Sequence, residues 1–134
     1  MVNVSIIQPK LRHYRFDLYF RFSCLKNINL TVITSTLSHK SNHFTWHKSC
    51  GPIFSLFNTF FWQKLPYRVL LKSDIIVLSS NPRFISSIFV LFLCKIFNIK
   101  TIWWGHYWSS TSTYFNLELR KIFYRFNNFV LFYT

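Results

Sequence analysis

The sequence predicts an α/β fold in which a parallel sheet carries helices on both faces. Three observations predict it. Short β-branched or aromatic runs alternate with segments of helical length along 134 residues. Those runs are apolar throughout, as strands buried on both faces must be. Pro9 and Asn81-Pro82 punctuate the changes from one element to the next.

VNVSIIQ (2–8) is a β-branched run stopped by Pro9, hence a strand. YRFDLYFRFSCLK (14–26) has helical length with apolar residues nearly all round. NLTVITS (29–35) is a second strand. Residues 36–52 are polar and close at Gly51-Pro52, a loop with room for one short strand. FSLFNTFFWQKLPYRVLLK (54–72) reads as helix, broken near Pro66. DIIVLSS (74–80) is a strand opened by Asp74, and Pro82 suits the first position of a helix over 83–97. FISSIFVLFLC (84–94) is too short to span a bilayer and reads as buried. IKTIWW (99–104) is a strand whose Trp103 and Trp104 lie on alternate faces, so at least one belongs to the core. Phe115, Leu119, Ile122, Phe123 and Phe126 form the expected inner face of a helix over 113–127, with Thr113 as its N-cap. FVLFY (129–133) is the last strand. The sum is one Rossmann-like domain over 1–134, its strands ending at Gln8, Ser80, Trp104 and Tyr133 on one edge.

Sixteen Lys and Arg against Asp17, Asp74 and Glu118 give a formal charge of +13, a field that attracts phosphorylated ligands and anionic membrane surfaces. The basic residues are scattered singly, without zinc-finger spacing or a basic arm, which disfavours nucleic acid. Phe, Ile, Asn, Lys, Ser and Tyr are residues of A/T-rich codons and alanine is absent, so gene composition alone accounts for part of the aromatic content. Cys24, Cys50 and Cys94 form no CxxC pair and read as free thiols of a reducing compartment. The N-terminus does not read as a signal peptide. His39, His43, His47 and Cys50 have a spacing that a helix could offer to zinc, but the Ser- and Asn-rich tract is a poor helix without a carboxylate, so no metal site is expected.

Ligands of parallel α/β sheets bind at the carboxyl ends of the strands. Three such ends supply chemistry: Gln8-Pro9 leading to Arg15, Ser79 to Arg83, and Trp104-Gly105-His106. Gly105 would let the backbone turn and approach a ligand closely. IIQPKLRHYRFDLYFRF, DIIVLSSNPRFISSIFVLFLCKIFNIKTIWWGHYWSS and FVLFYT, in that order, resemble the N-terminal half of a family-4-like glycosyltransferase of the two-domain GT-B fold, of the kind that assembles cell-surface polysaccharide. Asp74 to Ser109 carries most of the likeness; Tyr107 departs from it, standing where a small residue is expected.

The resemblance implies an acceptor-binding domain. His106 would be catalytic, beside the transferred sugar, with Arg15, Asn81 and Arg83 as acceptor or phosphate contacts and Gly105 and Trp108 on the substrate. It implies no cofactor or metal, a nucleotide-sugar donor held by another domain or subunit, a glycan or lipid-linked acceptor, and a cytoplasmic place at the inner face of the membrane. Such an enzyme would be about half complete at Thr134, and Glu118 is no substitute for the acidic donor motif, so a half-enzyme or split subunit, inactive alone, is expected. The residues have structural readings too: His106 capping a strand end, Asn81 in a turn, Trp108 in packing, Arg15 and Arg83 solvated. Two alternatives remain at this point, a non-catalytic membrane-associated binding subunit and, less favoured, a basic nucleic-acid-binding α/β protein.

Overall fold

The computed structural model describes residues 1–11, 13–35, 45–48, 53–56, 59–79, 81–105 and 114–132; of 45–48, 56, 115 and 116 it describes the backbone alone. Strands β1 (Val2–Gln8), β2 (Ile28–Thr34), β3 (Thr45–Lys48), β6 (Ile75–Ser79), β7 (Lys100–Gly105) and β8 (Phe129–Phe132) form a six-stranded sheet in the order β3-β2-β1-β6-β7-β8. Every pairing within it is parallel. Strands β4 (Ile53–Leu56) and β5 (Phe60–Gln63) pair antiparallel as a separate ribbon. The chain winds outward from β1 to β3, returns to the other side of β1, and winds outward again to β8. This is the doubly wound order, and its switch point lies between β1 and β6.

Helices cover both faces. Helix α1 (Phe16–Ser23) follows a single 3-10 turn at His13–Arg15 and sends Tyr19 into a core with Val4, Ile6, Leu30, Val32 and Val77. Helices α2 (Tyr67–Leu70), α3 (Ile85–Ile96) and α4 (Tyr114–Phe126) serve the opposite face, where Ile7, Ile33, Leu78, Val90, Leu91 and Trp103 form the larger core. Alternation along each strand divides them: Trp103 is fully buried on the α3 and α4 side, while Trp104 packs beside Tyr19 on the α1 side.

Local chemistry sets the ends of elements. Asn98 takes φ 53° after α3, and the Ile99 N–H reaches the Cys94 carbonyl at 2.8 Å, the Schellman closure that asparagine tolerates. Asp74 clips the amino edge: its carboxylate accepts the Asn3 N–H at 2.8 Å and its own N–H returns to the Asn3 carbonyl at 2.9 Å. Asn128 Oδ1 accepts the Thr101 N–H at 2.9 Å, which ties the end of α4 to β7.

Four expectations are corrected. Residues 54–72 are not a broken helix: their first part is the β4–β5 ribbon and only Tyr67–Leu70 is helical, because the aromatic run lies on a pleated surface against α3. Phe61 sits 5.3 Å from Phe84, the Phe61 N–H donates to the Arg83 carbonyl, and the Gln63 N–H donates to Ser86 Oγ at 3.1 Å. Pro82 does not open α3. It occupies a turn closed by the Phe84 N–H on the Asn81 carbonyl, and Phe84 is the cap. The inner side of α4 carries Phe123 and Tyr124, whereas Ile122 and Phe126 are about half exposed. Finally α3 is not buried all round: Phe92 is 62% and Ile96 60% exposed. Thr113, Ser80 and Tyr133 lie outside the described residues.

No helix among the described residues is long and apolar enough to cross a membrane. Of the two described cysteines, Cys24 is exposed and Cys94 is buried in the larger core. Burial pushes the Cys94 thiol up to about 11. The unfolded thiol ionises near 9, so this group leaves stability unchanged below that pH and lowers it as pH rises from 9 toward 11. Alkylation of the folded chain near pH 9 is therefore expected to label Cys24 readily and Cys94 only after denaturation; equal rates at the two sites would contradict the buried placement.

Candidate functional site

The carboxyl ends of β1 and β6 part at the switch point and leave an open cleft of about 340 Å³. Gln8, Pro9, Lys10, Tyr14 and Arg15 line it from the first crossover, Ser79, Asn81 and Phe84 from the turn after β6, and Ile53 from the β4–β5 ribbon. The ribbon is thus one wall of the cleft, held there by its bonds to Arg83 and Ser86.

Arg15 is the chemical centre. It caps α1, directly after the 3-10 turn, and is only 8% exposed. Its Nη1 donates to Gln8 Oε1 at 2.6 Å, and the same oxygen accepts the Tyr19 hydroxyl at 2.8 Å. The guanidinium carbon lies 4.6 Å from the centre of the Trp104 ring and 5.7 Å from that of Tyr14, within reach of cation–π attraction. Gln8 and Trp104 therefore hold a cation through an amide dipole and an aromatic face. Trp104 also joins the end of β7 to the cleft, since its other edge meets Tyr19 with ring centres 6.3 Å apart. A planar guanidinium held in this way is suited to a carboxylate or phosphate entering from the open side.

The sequence-derived residues divide. Arg15 and Asn81 both line the cleft. The Asn81 side chain is committed to its own turn, where Oδ1 accepts the Arg83 N–H at 3.1 Å, as its turn reading has it. Arg83 is exposed and is not among the residues lining the cleft; its backbone serves the ribbon. Gly105 is not in a turn. It is the buried last residue of β7, in register with Phe132 of β8, so its missing side chain serves the sheet rather than a sharp bend. His106, Tyr107 and Trp108 lie outside the described residues, as do His39, His43 and Cys50; His47 is on strand β3 rather than a helix.

Sequence reasoning missed Gln8 and Tyr19 as supports of Arg15, and Ile53 as a wall. The first two had a signal. Gln8 is a polar residue at the buried end of a strand after the apolar pair Ile6-Ile7, and Tyr19 stands four residues after Arg15, on the same side of α1. Ile53 had none, because its segment was read as helix. No protein-family model matches the chain, and no curated protein matches it at a significant level of sequence similarity.

Proposed function

We propose that this chain is the acceptor-binding, Rossmann-like half of a GT-B-type glycosyltransferase, which takes part in sugar transfer from a nucleotide-sugar to a glycan or lipid-linked acceptor. The observation that carries the reading is the place of Arg15: a largely buried guanidinium in the wall of a cleft at the topological switch point. In this reading Arg15 and Lys10 receive an anionic group of the acceptor. His106, one residue beyond β7, works beside the transferred sugar. The donor is held by a second nucleotide-binding half. No metal or cofactor enters the reading. The charge of +13 and the aromatic content also support a peripheral, cytoplasmic place on an anionic membrane.

Calorimetric titration with a short-chain polyprenyl diphosphate-linked saccharide tests the cleft. Saturable, salt-sensitive binding is expected. Arg15→Lys keeps the charge but loses the planar fork and the seat on Trp104, and should weaken binding about tenfold. Lys10→Ala, an exposed change, should weaken it about threefold without altering the melting temperature. Absence of saturable binding, or both variants binding like the parent, would remove Arg15 and Lys10 from the acceptor site.

A further inference from the structure

Helix α3 presents apolar side chains on two sides. Val90, Leu91 and Cys94 pack in the larger core, and Ser86 and Ser87 beside them are buried. Phe89, Phe92 and Ile96 recur at helical spacing on the other side, and all three are exposed, Phe92 and Ile96 by 62% and 60%. The stripe continues across the ribbon, where Trp62 lies 6.1 Å from Phe89, ring centre to ring centre. A helix that is apolar all round is ordinarily buried. This one is covered on one side only.

Charge around the stripe says what covers the other side. Lys95 is exposed on α3 itself, and Arg68 and Lys72 are exposed on the neighbouring α2 turn, which packs on α3 through Tyr67 and Phe89 at 5.7 Å. No carboxylate lies in α2 or α3. The three carboxylates of the chain are elsewhere: Asp17 on α1 across the sheet, Asp74 on the Asn3 amide, Glu118 on Lys121. A second copy would bring one +13 chain against another. An anionic lipid surface complements both the aromatic stripe and its basic border. At 12 residues α3 is about 18 Å long, too short to cross a hydrocarbon core of about 30 Å, so it lies along the interface instead.

We infer that the outer face of α3, with Trp62 beside it, is the surface by which the protein sits on an anionic bilayer, Phe92 and Ile96 entering the acyl boundary and Arg68, Lys72 and Lys95 meeting lipid phosphates. This rests on the membrane part of the proposed function and assigns it a surface.

Flotation with vesicles of phosphatidylcholine alone, and of phosphatidylcholine mixed with phosphatidylglycerol, tests the assignment. The parent chain is expected to float with the mixed vesicles only, and less as salt is added. Phe92→Ser combined with Ile96→Ser removes the inserted groups at exposed positions and should lower the partition coefficient about tenfold or more while the melting temperature holds. Leu18→Ser on the exposed side of α1 should float like the parent. If the double variant floats like the parent, α3 is not the contact, although the peripheral reading stands. If the parent chain itself fails to float, the peripheral reading falls as well. A concentration-dependent dimer in sedimentation velocity that the double variant abolishes would assign the face to a second copy and overturn the lipid assignment.

Discussion

Trp103→Ala is expected to destabilise the domain by about 3–5 kcal/mol. Trp103 is fully buried, and its ring stacks on Phe123 at 5.8 Å with 21° between planes, so it joins β7 to α4 within the larger core. Truncation leaves a cavity between β7 and α4, and the loss is a large part of the roughly 5–15 kcal/mol typical of a domain. The melting temperature should fall by about 10–20 °C. Trp103→Phe separates shape from polarity. The indole Nε1 is buried with no hydrogen-bond partner among the described residues, so phenylalanine loses volume but also removes an unsatisfied donor. Its cost is expected to stay below about 2 kcal/mol. Thermal melts of the two variants check this; Trp103→Ala melting like the parent would mean that the β7–α4 contact does not hold the core.

His106→Ala, measured in an enzyme completed by a donor-binding half, is expected to lower turnover about a hundredfold with little change in melting temperature. The reason is the place of the residue in the chain. Trp104 supports Arg15 at the cleft and Gly105 ends β7, so residue 106 follows directly from a strand whose end borders the site. On the proposed reading the variant loses a hydrogen bond that strengthens as charge develops in the transition state, which separates it from Trp103→Ala. A parallel fall in turnover and melting temperature would make the histidine structural instead.

The sheet was legible because its strands are short, mostly apolar and β-branched or aromatic runs, two of them followed by Pro9 and by Asn81-Pro82. The expected ends of β1, β2, β6, β7 and β8 agree with those observed to within about one residue, the ordinary uncertainty of such boundaries. The topological switch was not legible: apolar runs state that strands are buried, not which strand is whose neighbour. Phe60-Phe61-Trp62 misled for a related reason, since three adjacent aromatics have neither a period of two nor one of 3.6, and the pairing with Ile53–Leu56 decides. Helix α4 is apolar at enough positions that periodicity fits more than one inner face; the stack of Phe123 on Trp103 selects among them. At the site, Arg15 was found from its position after a strand end. Its burial and its seat between Gln8 and Trp104 depend on residues 89 positions apart in sequence meeting across β1, β6 and β7, and no local pattern carries that.

The most direct measurement of the central claim is sugar transfer to a lipid-linked acceptor, followed with a radiolabelled nucleotide-sugar, by the chain alone and by the chain joined to a donor-binding half. Bringing donor and acceptor together in line is a large share of the rate, and on the proposed reading the cleft between β1 and β6 would be one wall of such a site. Expected is no transfer by the 134-residue chain, transfer by the completed enzyme, and slower transfer in Arg15→Lys and His106→Ala. Transfer by the isolated chain, or a completed enzyme indifferent to both substitutions, would contradict the assignment of this cleft as the acceptor site.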